Sequence, residues 1–216
     1  MSSPEHSWRR FITPVLFVLA VAVNVVALVR LAVGPGEPVY RFALAFAAVN
    51  LVWLLAEIPI TFRLPSTPPR EVATLLAYGS TRVATVGAAL LGPLTWHRLS
   101  PLSAVPVVVF AVGVGLRLVA MRTLGRFYSH HVIRRADHSV VRTGPYRVVR
   151  HPAYAGMVLA HLGLVLFFLN AFSAVLFVAL VAVIGWRIRV EERELVVLPA
   201  YREYALGRPR LLPGVW

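Results

Sequence analysis

Two strings in this chain combine side chains that can bind charge with backbone signals that would hold them in place. The first runs Thr143-Gly144-Pro145-Tyr146-Arg147-Val148-Val149-Arg150-His151-Pro152-Ala153-Tyr154-Ala155-Gly156. Gly144-Pro145 marks a turn. Pro152 suits the first position of a helix, where its missing N–H costs nothing. The free N–H groups of that first turn, the helix dipole, Arg147 and Arg150 together describe an anion site. Tyr146 and Tyr154 add aromatic faces suited to an adenine ring or to a cation such as a sulfonium. The same residues also read as an interfacial helix start, with arginines snorkelling to lipid phosphate and tyrosines in an aromatic belt. The chemistry by itself supports both readings.

The second string is Arg187-Ile188-Arg189-Val190-Glu191-Glu192-Arg193-Glu194-Leu195. Arg187 and Glu191 are four apart and share one helix face. Glu191 and Glu192 point about 100° apart, so at most one of them faces a site shared with Arg187. Three of the nine acids in the chain fall within these residues. A salt-bridged helix leaving a membrane is the plainer reading of the same pattern.

What must position these strings is a set of apolar helices. Of 216 residues, 58% are hydrophobic and 14% charged, with mean hydropathy +0.73; a soluble domain carries roughly 25% charged residues. Disorder is excluded. The 22 basic residues are all arginine and give a net charge of +13, but a nucleic-acid module would not be this apolar, so nucleic acid is not an expected partner. With no cysteine, disulfides, thiolate zinc sites and a cysteine nucleophile are excluded. The His130-His131 doublet lacks converging carboxylates, and no metal site is expected.

A bilayer core of ~30 Å needs ~20 apolar residues in a helix. Segments 14–33, 39–62, 72–94 and 103–121 meet that length. The apolar stretch 153–188 is too long for one crossing, and Asn170 at its middle predicts a tight helical hairpin of 153–169 and 172–188. The first segment is too long for a typical signal h-region and lacks a good cleavage site, so it is read as a span. The fold expected is an all-α integral membrane protein with about six transmembrane helices, the last two a hairpin. Arginine falls mainly on the side that receives the N-terminus, loops 63–71 and 122–151, and the tail, which predicts cytoplasmic N- and C-termini. Arginine without lysine, with abundant alanine and valine, suggests a GC-rich bacterial genome and hence a bacterial inner membrane. The segments 122–151 and 189–216 are too long to be mere connectors and should build a site over one end of the bundle.

Polar residues within the spans are expected to find partners. Arg82 in the third segment and Glu57 near the end of the second read as an interhelical pair, with an acceptor contact as the functional alternative. Asn24 and His161 read as interhelical hydrogen-bonding groups. Arg117, near a span's end, is expected to snorkel.

The two strings, with Leu124-Gly125-Arg126-Phe127, His138-Ser139-Val140-Val141-Arg142, Tyr201-Arg202-Glu203-Tyr204 and Arg210-Leu211-Leu212-Pro213, resemble the isoprenylcysteine carboxyl methyltransferase family, whose wider group includes phosphatidylethanolamine N-methyltransferase. The resemblance covers about residues 120–213, in the family's order and spacing; Leu198-Pro199 departs from the Phe-Gly of many relatives. It implies an N-terminal membrane region, 1–121, and a catalytic region, 122–216. It further implies an integral membrane methyltransferase using S-adenosylmethionine, held under the long loop and tail. The acceptor would be a lipophilic small molecule or prenylated group entering from the bilayer, with membrane lipids as the surroundings. Gly144, Tyr146, His151, Pro152, Tyr154 and Gly156 would shape or line the cofactor pocket, with His138 contacting the cofactor from the loop. Glu191 and Glu192 resemble the acidic pair that holds its amino or hydroxyl groups. Arg187 and Arg150 would orient the acceptor. A carboxylate acceptor is already a nucleophile and needs alignment and desolvation; a phenol or pyrone would need a base, His151 or Glu192. An NADPH-dependent sterol-type reductase is a rival enzyme reading, for which the chain looks short. A small transporter is the non-enzymatic one, and it predicts an inverted repeat that the sequence does not display.

Overall fold

The structure is a computed structural model that describes residues 11–61, 72–125, 140–214 and 216, and the described elements are helical throughout. They are α1 (Ile12–Ala32), α2 (Pro38–Ala56), α3 (Ile58–Thr61), α4 (Val72–Leu91), α5 (Pro101–Leu124), α6 (Pro152–Phe167), α7 (Ala171–Leu195) and α8 (Pro199–Ala205), with a 3-10 turn at Gly144–Arg147. Proline opens α2, α5, α6 and α8, where its fixed φ is already helical. The expected segment 39–62 does not continue as one helix. α2 stops at Ala56 because Pro59 cannot donate to the carbonyl four residues back and crowds it, and α3 restarts beyond the break.

Asn170 divides the long apolar stretch as expected. Its side-chain oxygen accepts the Ser173 N–H at 2.9 Å, and its amide donates to the Ala88 carbonyl at 2.9 Å. The cap therefore also ties the hairpin to α4. Helices α1, α2, α5 and α7 are long and apolar enough to cross a membrane. α6, with 16 residues, is ~24 Å long.

Side-chain contacts fix which helix ends lie together. Arg30 near the end of α1 donates to the Leu90 carbonyl at the end of α4, 3.0 Å away. Trp96 beyond α4 donates to the Phe167 carbonyl at the end of α6 at 2.8 Å. At the opposite end, Glu57 after α2 meets Arg117 of α5, which also donates to the Ala153 carbonyl at the start of α6. That second end therefore gathers the start of α4, the ends of α2 and α5, the start of α6 and the end of α7. The two strings of interest belong to it.

The core is aromatic: Phe46 meets Phe110 and Phe167 edge-on at 4.9 and 5.2 Å. Asn24 and Asn50 join α1 to α2 inside it, at 2.8 Å, as expected for Asn24. His161 is different. It donates from Nδ1 to the Met157 carbonyl of its own helix at 2.9 Å and packs its ring against Trp53, so among the described residues it makes no hydrogen bond between helices.

α6 lies directly on the backbone of α5. A Cβ on Gly156 would sit 2.6 Å from the Arg117 nitrogen, and one on Gly113 would sit 2.2 Å from the Ala160 nitrogen. Small residues permit this approach, and the close packing holds helices together where the hydrophobic effect between lipid-facing surfaces is absent. Gly156, assigned by resemblance to the cofactor pocket, is packed against α5. Gly156→Val should separate the two helices and destabilise the protein by about 1–3 kcal/mol, seen as a lower unfolding temperature in detergent.

Candidate active site

The site begins with a backbone demand. Gly144 has φ +57°, a left-handed conformation that favours glycine, and a Cβ there would lie 3.1 Å from Thr123 Oγ1. Gly144 thus packs against the end of α5 and opens the 3-10 turn, whose Tyr146 is buried with Ala120, Ala153, Tyr201 and Tyr204. The Tyr204 hydroxyl donates to the Tyr146 carbonyl at 2.8 Å. Burial pushes the phenols of Tyr204 and Tyr201 above their ordinary range, which keeps both protonated. Tyr204→Phe should cost about 1 kcal/mol and increase cleavage by trypsin in this region.

On the outside, Arg142 meets Glu203 at 2.9 Å. That hydrogen bond holds the Glu203 carboxyl below its usual range, so the stabilisation it gives is present at neutral pH and fades on acidification. Both side chains are solvent-exposed and the effect is small.

Two further hydrogen bonds join the strings to the tail: the N–H groups of Arg150 and His151 donate to the carbonyls of Pro209 and Arg210, each at 2.9 Å. His151 then precedes α6, and the N–H groups of Tyr154 and Ala155 both return to its carbonyl at 3.1 Å. Of the first turn's N–H groups, that of Tyr154 is thus engaged, while that of Ala153 has no partner among the described residues.

Side chains here form two adjoining clusters. In the first, Glu192 receives Arg150 at 2.8 Å and His151 Nε2 at 3.2 Å on Oε1, and Arg210 Nε at 2.7 Å on Oε2. Residues from the loop, the helix start, the end of α7 and the tail thus share one carboxylate. In the second, Arg187 Nε donates to the Tyr154 hydroxyl at 2.8 Å, and that hydroxyl donates to Glu191 at 3.2 Å. Arg187 also donates to Thr74 Oγ1 at 3.1 Å, and its guanidinium lies 5.8 Å from the centre of the Tyr78 ring. The two glutamates diverge as helical geometry requires, Glu191 toward Arg187 and Glu192 toward the tail. His151 and Tyr154 bridge the clusters, their rings 6.0 Å apart.

Beneath them lies a buried ion cluster. Glu57 is fully buried and accepts Arg82 Nη1 at 3.0 Å, the pair expected from the sequence. It also accepts from Arg117 Nε, and from Arg117 Nη2 at 3.3 Å. Arg117 has no solvent exposure, so the expectation that it snorkels is wrong. With α6 packed against α5 on one side, the carboxylate offers the nearest compensation for its charge.

The sequence therefore brings together Arg150, His151, Tyr154, Arg187, Glu191 and Glu192, with Pro152 opening α6 and Gly144 shaping the turn. His138 lies outside the described residues. The sequence alone assigns no role to Arg210, which stands in the Arg210-Leu211-Leu212-Pro213 string, nor to Thr74 and Tyr78. Their signal is weak, because single polar residues at the start of an apolar helix are common.

This is an α-helical membrane protein whose described charged site is assembled at one end of the bundle from a loop, two helix ends and a tail. Residues 104–197, from within α5 to just beyond the end of α7, match the model of the isoprenylcysteine carboxyl methyltransferase (ICMT) family. The chain is 40% identical over 88 residues to protein-S-isoprenylcysteine O-methyltransferase of Saccharomyces cerevisiae, covering 39% of this chain and 37% of that protein. It is 37% identical over 82 residues to protein-S-isoprenylcysteine O-methyltransferase B of Arabidopsis thaliana, covering 37% of this chain and 40% of the relative. It is also 33% identical over 103 residues to the cobalt-zinc-cadmium resistance protein CzcN of Cupriavidus metallidurans, covering 46% and 48%. In these matches the chain spans less than half the length of the relative.

Proposed function

We propose that the protein is an integral membrane methyltransferase that uses S-adenosylmethionine to methylate a carboxylate on a lipophilic, isoprenylcysteine-like acceptor. The observation that carries the reading is the meeting of the His151-Pro152 helix start, the Glu191-Glu192 helix end and the Arg210 tail in one cluster. It lies in the region shared with the ICMT family.

The residues present fit the cofactor. Its amino-acid carboxylate needs donors, and Arg150 Nε is buried with no hydrogen-bond partner among the described residues. Its ammonium needs an acceptor, which Glu191 offers. Its adenine needs flat apolar surface, which the half-buried Tyr154 offers. When bound, S-adenosylmethionine supplies a methyl group made electrophilic by the sulfonium. Arg187 grips one acceptor oxygen in a charge-assisted bond and leaves the other free to attack. Tyr154 holds the Arg187 fork in register, and the docked tail keeps water from the reacting oxygen. Such alignment can supply ~7–11 kcal/mol of barrier lowering in favourable cases. A carboxylate needs no base.

The protein would cross the membrane six times, with α4 and α6 completing the spans; the bundle ends paired by Arg30–Leu90 and Glu57–Arg117 support this alternation. Both termini and the site would then face the cytoplasm of a bacterial inner membrane, with 1–121 as the membrane region and 122–216 as the catalytic one. The test is thermal stabilisation of the purified protein by S-adenosylhomocysteine, followed by transfer of radiolabelled methyl to a farnesylated cysteine and to lipid extracts. Stabilisation by NADPH with no response to S-adenosylhomocysteine would replace the methyltransferase by a reductase.

A further inference from the structure

Beyond Arg210 the tail is tied to α7 by an indole. Trp216 lies over Gly185, where an added Cβ would stand 3.8 Å from the ring's Cη2. The Arg189 guanidinium lies 5.4 Å from the centre of the same ring, and that of Arg210 lies 5.1 Å from it. Gly185, Arg189 and Glu192 follow one another by four and then three residues along α7, so they form one stripe on its surface. The ring covers the first turn of that stripe. Glu192 begins the next, with Arg210 Nε on its Oε2 at 2.7 Å. The backbone closes the arrangement, because the Leu211 N–H donates to the Trp216 carbonyl at 3.0 Å, and both side chains pack on the core.

Nothing in the proposed reaction uses Trp216 or Arg189. Three cations, Arg150, Arg189 and Arg210, crowd this end of α7, and two of them share Glu192. Arg210 keeps 32% side-chain exposure and meets Glu192 through one hydrogen bond. That contact alone leaves a long, hydrated side chain free to swing away. The negative face of an indole attracts a guanidinium without consuming its hydrogen bonds. Arg189 therefore anchors the ring to α7, and the ring holds Arg210, although the two cations by themselves repel.

We propose that Trp216 is a positioning residue for this site: its indole, laid on α7 and held by Arg189, keeps the Arg210 guanidinium on Glu192 and so keeps the tail closed over the charged cluster. The plainer role for a tryptophan here is an anchor in the headgroup layer, which needs apolar bulk but no ring facing a cation. Trp216→Phe and Trp216→Leu tell the two apart, since both leave an apolar side chain and only the first keeps a π face. The consequence for cofactor affinity rests on the methyltransferase reading; the closure of the tail does not.

The experiment uses the full protein in nanodiscs, digested briefly with trypsin, and follows cleavage after Arg210 by mass spectrometry. Such cleavage reads how often the tail opens. Trp216→Leu is expected to speed it about 10-fold, the equivalent of losing one partly desolvated cation–π contact. Trp216→Phe should leave it within about 3-fold of the parent. Gly185→Leu favours the helix but fills the seat of the ring, and should act like Trp216→Leu; monodisperse elution checks the fold of each variant. In calorimetry, Trp216→Leu should weaken S-adenosylhomocysteine binding about 10-fold and lower kcat at saturating S-adenosylmethionine by less. Added to Glu192→Gln it should cost nothing further, because both act through one ion pair. Cleavage unchanged by Trp216→Leu and Gly185→Leu, or equally fast with Trp216→Phe and Trp216→Leu, would overturn the proposal, as would additive losses with Glu192→Gln. If the parent binds no S-adenosylhomocysteine while Trp216 still protects Arg210 from trypsin, the methyltransferase reading fails and the positioning role stands.

Discussion

Arg187→Ala is expected to lower kcat by about 100- to 1,000-fold, the range for losing one preorganised electrostatic contact at a reacting group, while S-adenosylhomocysteine still binds. The separation follows from where the side chain points. Arg187 is buried, turned toward Thr74, Tyr78 and Tyr154, and reaches the second cluster, whereas Arg150 and Arg210 close on Glu192. Lysine should not rescue it, because one ammonium cannot replace a planar fork that bonds Tyr154 and Thr74 while presenting a further N–H to a carboxylate. Calorimetric titration with S-adenosylhomocysteine, run beside single-turnover methyl transfer, reads the two effects apart. A loss of cofactor affinity with Arg187→Ala would move this residue into the cofactor site and leave Arg150 to orient the acceptor.

Glu192→Gln should have the opposite signature, weakening S-adenosylhomocysteine binding by about 10- to 100-fold through loss of charge-assisted hydrogen bonds. The carboxylate is the only described acid joined to the loop, the helix start and the tail at once, through Arg150, His151 and Arg210. An uncharged amide keeps the shape but leaves two guanidiniums facing one another. The tail is then held by backbone bonds at Pro209 and Arg210 without their electrostatic partner. Faster tryptic cleavage at Arg208 or Arg210 should accompany the weaker binding. Unchanged affinity would place the cofactor away from this carboxylate.

Much of the architecture is legible in the chain because membrane helices obey one-dimensional rules. Apolar length gives the starts of the long helices to within two residues, since the bilayer supplies no hydrogen bonds and each span must satisfy its own backbone. Asn170 marks the hairpin turn for a local reason, its side chain capping the helix that follows. Pro152 sets the start of α6 in the same way. The divergence of Glu191 and Glu192 needs only the 100° step of a helix.

The tertiary structure decided what spacing cannot. Whether Arg117 reaches lipid headgroups or a carboxylate depends on α6 lying against α5, and the closeness of those helices depends on Gly113 and Gly156 meeting across them. Glu57 is 60 residues from Arg117, and no periodicity connects them. Arg210 joins the site because the tail folds back beside Arg150 and His151, a chain reversal set by long-range backbone hydrogen bonds. Tyr78 acquires its place beside Arg187 only when α4 packs on α7. Local rules act over one turn of helix or the thickness of a bilayer; the partners of buried charges are chosen by packing between segments far apart in the chain, and that information exists only in three dimensions.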